Sequence, residues 1–362
     1  MLNPIHEKFA RLITGYSTEV KAGDNVLINV DAGALELGRA LVREVLRLDA
    51  EPLLRVSYPE QMTDLLELAS EEYLEREPVF ALNEIRQIDA WIRVSAPENA
   101  RQLQNADKEK LNRLMKRNRA VQNIRVNETR WLGTIYPNAA GAQDAGMSTE
   151  EFERFAFEAM LLHEDDPGAA WQAKFEEQKQ LVERLSRAKE VRIVGPGTDL
   201  KLSVEGRTWM NSAGKRNMPC GEVFTGPIES SAEGVITYDI PSSVNGVEVR
   251  NIRLRFEQGQ VVEAEAELGD DLLQAQLNSD PGARYLGELG IGTNYAIQRP
   301  IKSILYDEKI GGTVHLALGQ SYATTGGTNS SSIHWDMITD LRQGGAIYLD
   351  GELFQQDGKF VD

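Results

Sequence analysis

Residues 330–338 read SSSIHWDMI, and their alternation decides how the last third of the chain folds. Read as a strand, the stretch puts His334 and Asp336 on one face and Ile333, Trp335 and Met337 on the other. The apolar face braces a core, and the polar face presents two metal-binding side chains side by side. Histidine is scarce, with four in 362 residues. A second one, His315, lies in TVHLALG (313–319), where Val314, Leu316 and Leu318 share one face and His315 stands opposite among small residues. Taken singly, an HxD pair on a strand is more often a packing accident, and a lone strand histidine more often a hydrogen-bonded core residue. Two such segments together point to a metal centre.

Two glutamates extend the set. Glu222 in CGEVFTGP and Glu288 in LGELGIGTN each follow a glycine in a stretch otherwise poor in charge. A carboxylate set among Gly, Leu, Val and Phe is expected to be partly buried, and a buried carboxylate needs a cation or a base beside it. The single cysteine, Cys220, excludes a thiolate cluster and internal disulfides. Nitrogen and oxygen donors without sulfur suit Zn, Co, Mn or Fe. Two histidines and three carboxylates exceed what one catalytic zinc uses, and suit a pair of ions with a bridging carboxylate.

The first half of the chain has a different texture. NVLINV (25–30), PLLRVS (52–57) and DAWIRVS (89–95) read as short apolar strands, and AVQNIRVN (120–127) as a fourth. A helical stripe of Leu37, Leu41, Val45 and Leu48 separates the first two. Strands alternating with helices imply a mostly parallel sheet. A Ser148–Glu151 capping box opens a helix to about Leu162, with His163 in its last turn, and a long charged helix covers 169–185. From Lys189 onward hairpin signals dominate: Gly195–Pro196–Gly197, Glu257–Gln260 and Asp350–Gly351. The expected fold is an N-terminal α/β domain (1–187) followed by a mainly antiparallel β, α+β-type metal-binding domain (188–362). VLINVDAGALELG has no GxGxxG and no P-loop occurs, so no nucleotide is expected in the parallel sheet.

Bulk composition narrows the partners. The net charge of −17 disfavours nucleic acid and anionic membranes. The N-terminus reads as an amphipathic helix and not a signal peptide, and no segment approaches ~20 apolar residues. With a lone cysteine, the expected setting is cytoplasmic. Acidic runs such as 70–77 and 176–183 read as solvated helix faces, and His6 as structural.

NMPCGEVFTGPIESSAEG, LGELGIGTN, GGTVHLALGQSY and GTNSSSIHWDMI, in that order, resemble the signature segments of the M29 metallo-aminopeptidases, the thermophilic aminopeptidase family. The resemblance implies two divalent metals (Zn, Co or Mn) on Glu222, Glu288, His315, His334 and Asp336, peptide substrates with a free N-terminus, and a homodimer. It also implies catalytic roles for Tyr322, seven residues after His315, and for Glu222. The segment between Tyr322 and His334 is shorter than its family counterpart, which bears on the shape of the substrate pocket. The alternative reading is a mononuclear Fe(II) ring-cleaving dioxygenase, for which two histidines and one carboxylate suffice. Glu222 and Glu288 discriminate, since a single iron would not require them.

Overall fold

The computed structural model describes residues 3–99, 101–244 and 246–361. It divides into two compact units within one helix. The first runs through Trp171 and also takes in Gly214–Pro219; the second holds Gln172–Ala213 and the chain from Cys220 onward. The change of texture near residue 187 is where that helix, Pro167–Leu185, gives way to strands.

In the first unit, β1 (Asn25–Asp31) carries Val26, Ile28 and Val30 on one fully buried face. Helix α1 (Leu35–Arg47) buries Leu37, Leu41 and Val45 of the expected stripe. Parallel pairing joins β1 to β2 (Glu51–Ser57) and to β3 (Ala90–Ser95), and β3 to β4 (Arg130–Ile135). The order is β2-β1-β3-β4, with the two-residue strand Asn217–Met218 at the end. Shorter helices α2 (Gln61–Leu68) and α3 (Val79–Ile85) fill the β2–β3 crossover.

One expected strand is wrong. AVQNIRVN lies inside α4 (Lys108–Glu128), a 21-residue helix capped by Asp107. No glycine or proline interrupts 107–128, and Leu111, Leu114, Val121 and Ile124 recur at helical spacing, so the helix propagates through the short alternation. The fourth strand is β4, which begins two residues after the helix ends. The capping box is present, but its helix α5 (Thr149–Ala159) stops early, so His163 lies in a turn beyond it.

The second unit is antiparallel. Its larger sheet contains the expected hairpins, among them Glu190–Gly195 with Thr198–Ser203 and Val247–Glu257 with Gln260–Leu268. The smaller sheet has the order β9-β8-β7-β6-β5, where β5 is Met210–Ser212, β6 Glu222–Thr225, β7 Leu286–Gly292, β8 Thr313–Gly319 and β9 His334–Asp340. Val223, Leu289, Ile291, Val314, Leu316, Trp335 and Met337 from this sheet share one apolar core with Ile193, Leu200 and Leu254 of the larger one. Among the described residues, no helix is long and apolar enough to cross a membrane.

Candidate metal centre

The core face of the smaller sheet fixes what its other face displays. On β8, Val314, Leu316 and Leu318 point into the core, which leaves His315 and Ala317 opposite. On β9, Trp335 and Met337 face the core, and His334 and Asp336 face away, as the alternation requires. On β7, Leu286 and Leu289 both belong to the core although they are three positions apart. A register shift between Leu286 and Glu288 accommodates this, and it turns Glu288 toward the histidines. The register then lines up Glu288, Ala317 and Asp336 in one row, with Gly290, His315 and Ile338 in the next. Small residues between the polar ones leave space above the sheet. A Cβ on Gly290 would lie 2.0 Å from His315 Nε2, so the imidazole occupies the place a side chain would take.

The polar atoms converge. His315 Nε2 is 3.3 Å from Glu222 Oε2 and 3.5 Å from Glu288 Oε1. His334 Nε2 is 3.4 Å from Glu288 Oε2 and 3.5 Å from Asp336 Oδ2. Each Glu288 oxygen therefore faces a different histidine. Three clusters with metal-ligand spacing result: Glu222–Glu288–His315, Glu288–His334–Asp336 and Glu308–His315–Asp336. His334 Nδ1 lies 2.7 Å from the Gln320 carbonyl oxygen, which fixes its ring and leaves Nε2 for the site. Tyr322 packs against His334 with ring centroids 5.2 Å apart, and against Phe224 at 5.8 Å.

Burial makes this arrangement electrostatically demanding. Glu222, Glu288 and His315 are at most 5% exposed. Glu222 Oε2, Asp336 Oδ1 and both nitrogens of His315 are buried without hydrogen-bond partners. Orphaned donors and acceptors of this kind are costly. Their hard N/O chemistry fits divalent zinc, cobalt or manganese. The buried groups lean on one another. Burial raises Asp336 to about 7, helped by the Glu308 and Glu288 charges. Burial also pushes Glu222 up, opposed by Lys309. Glu288 goes the other way: against its burial, the two imidazoles hold it at about 2. Against theirs, the carboxylates raise His315 and His334 to about 9. Tyr322 is raised by burial and by the surrounding carboxylates.

All five side chains singled out as ligands meet here, with Tyr322 at the edge. Two more were not anticipated. Helix α6 (Ile304–Asp307) ends just before Glu308 and Lys309. Lys309 is fully buried, donates to Glu222 Oε1 at 2.7 Å and also meets Glu308. The only trace in the sequence is a charged DEK run before Gly311–Gly312, which reads like any exposed turn. Cys220 is buried and its Sγ lies 3.0 Å from Ser212 Oγ. Among the described residues it joins no metal-spaced cluster. His6 pairs with Tyr136, and His163 with Glu164 at the surface.

Comparison with known proteins follows the same lines. A model of the Thermophilic metalloprotease (M29) family matches residues 3–360. Aminopeptidase T of Thermus thermophilus is 30% identical over 351 residues, covering 87% of this chain and 84% of that protein. Aminopeptidase PepS of Streptococcus thermophilus is 25% identical over 416 residues, covering 98% and 95%. The solved structure of wild-type AmpT from Thermus thermophilus superimposes with a TM-score of 0.84 at 26% identity, covering 99% of each chain. These comparisons lend no support to the dioxygenase alternative.

Proposed function

The chain belongs to the thermophilic metalloprotease (M29) family and is a metal-dependent aminopeptidase, and from that premise we propose that Glu222, Glu288, His315, His334 and Asp336 hold two divalent ions at which the N-terminal peptide bond is hydrolysed. The observation that carries this reading is Glu288, whose two oxygens each face a separate histidine-containing cluster. A carboxylate so placed suits a bridge between two ions. Bound there, zinc, cobalt or manganese would lower the pKa of a water and polarise the substrate carbonyl.

The protein groups divide the remaining tasks. Glu222 has one oxygen held by Lys309, which leaves Oε2 either to hold an ion or to accept the proton released by the attacking water. Tyr322, beside His334, suits donating to the oxyanion formed at the substrate carbonyl. The surrounding carboxylates suit the free α-amine of the substrate, which restricts cleavage to the first residue. All of these groups lie within 188–362, to which we assign the chemistry.

Release of p-nitroaniline from leucine-p-nitroanilide tests the reading. Turnover is expected with cobalt or zinc and lost on chelation, and Tyr322→Phe is expected to lower kcat by ~10²-fold with metal content unchanged. No metal-dependent turnover across a panel of aminoacyl amides would remove the proposal.

A further inference from the structure

The parallel sheet of the first unit has two unlike faces. One carries buried Val26, Ile28, Val30, Ile92 and Val94. The other is read from the register. Its first row is Leu53–Leu27–Trp91, its second Arg55–Asn29–Arg93 and its third Ser57–Asp31. A covered parallel sheet ordinarily presents apolar side chains on both faces. Here the second face turns from apolar to charged toward the carboxyl ends of the strands. A cavity of about 820 Å³ lies over it, within the range of small-molecule sites. Met62 of α2 and Ile85 of α3 help to wall it. In the order β2-β1-β3 the chain leaves β1 in opposite directions, so the carboxyl ends of β1 and β3 flank a topological switch point. Open α/β sheets bind ligands at that place.

Two arginine–carboxylate pairs stand in the wall, and Glu98 also lines it. Arg93 Nη2 lies 2.5 Å from Asp31 Oδ1, and Asp31 Oδ2 accepts from the Ala96 amide at 2.8 Å. Arg55 Nη2 lies 2.5 Å from Glu84 Oε1. Each guanidinium engages its carboxylate through one nitrogen and has further N–H groups to offer. A lone anion or a lone cation would unbalance these pairs. A ligand bearing both charges on an apolar body would not. We propose that this cavity binds a free α-amino acid with a bulky apolar side chain. Its carboxylate sits on Arg55 and Arg93, its ammonium near Glu84, and its side chain over Leu27 and Trp91. The inference does not depend on the aminopeptidase reading, although such a molecule is what an aminopeptidase releases.

Calorimetric titration of the full-length protein with L-phenylalanine tests it. Saturable binding is expected, weakened about tenfold or more when L-phenylalaninamide or N-acetyl-L-phenylalanine replaces the zwitterion. Arg93→Gln and Arg55→Gln are each expected to weaken binding of L-phenylalanine to a similar extent. The Arg55 side chain is half-exposed, so that variant tests the site even if Arg93→Gln fails to fold. Glu288→Ala, which strikes the metal centre, is expected to leave this binding intact. The proposal is overturned by no saturable binding, by equal affinity for the three ligands, by unchanged affinity in both arginine variants, or by loss of binding in Glu288→Ala.

Discussion

Lys309 shows how far one buried charge governs its neighbours. Its side chain is 1% exposed and its ammonium sits between Glu222 and Glu308, where it offsets two of the four carboxylates around the site. Removing one partner of a buried ion pair costs ~3–5 kcal/mol, because the other is left uncompensated. Lys309→Met is therefore expected to destabilise the metal-free protein by about that amount. Cations bound next to Glu222 would take over the compensation, so the loss should shrink when zinc is added. Denaturant melts with and without metal check this, and equal losses in both would contradict it. Lys309 also marks the limit of what could be read in advance. His315, His334 and Asp336 stand opposite an apolar stripe, and Glu222 and Glu288 stand in glycine-flanked apolar segments. Those patterns identify burial from local sequence. Lys309 and Glu308 sit in a turn after α6, and only the tertiary fold buries Lys309 and brings Glu308 beside it.

Strand geometry turns those side chains into a site. The register shift at Gly287 aims Glu288, and Gly290 makes room for His315. Gly290→Ala would put a methyl 2.0 Å from His315 Nε2, so the imidazole must move. We expect that variant to fold and to lose most of its bound metal, as read by elemental analysis; full occupancy would show the contact to be relieved elsewhere. The approach to β9 is held by Asp280. Its Oδ2 accepts from Ser331 Oγ at 3.0 Å, Ser332 N at 2.7 Å and Ser332 Oγ at 2.6 Å, and its Oδ1 accepts from Gly282 N at 2.9 Å. The Ser332 bonds lead in holding its carboxyl at about 2, below the usual 3.8. A depressed folded-state pKa contributes stability that is complete above about 3.8 and fades as pH falls through about 2. Asp280→Ala should thus lower the melting temperature at pH 7, and the gap from wild type should narrow between pH 4 and pH 2. A gap that stays constant with pH would contradict this origin. The strands β8 and β9 were legible because their period of two is strict over five residues, 314–318 and 333–337. AVQNIRVN was misread because eight residues cannot distinguish a brief alternation from a helix whose cap lies thirteen residues upstream.

Across the whole chain, local pattern and global arrangement agree on two textures: parallel strands with crossover helices before the long helix, antiparallel hairpins after it. The hydrophobic pattern dictates this division, since strands covered on both faces and strands covered on one face write different sequences. Pairing order was not legible. Nothing local says that β6, β7, β8 and β9 become neighbours, and they are drawn from more than a hundred residues of chain. The chemistry depends on that pairing, because it carries Glu222 and Asp336, more than a hundred residues apart in the chain, to clusters that share His315 and Glu288. An anomalous-scattering map of the protein crystallised with zinc or cobalt tests this most directly. We predict two peaks ~3.5–4 Å apart, one beside Glu222 and His315, the other beside His334 and Asp336, with Glu288 contributing an oxygen to each. A single peak, or peaks that Glu288 does not touch, would contradict the account.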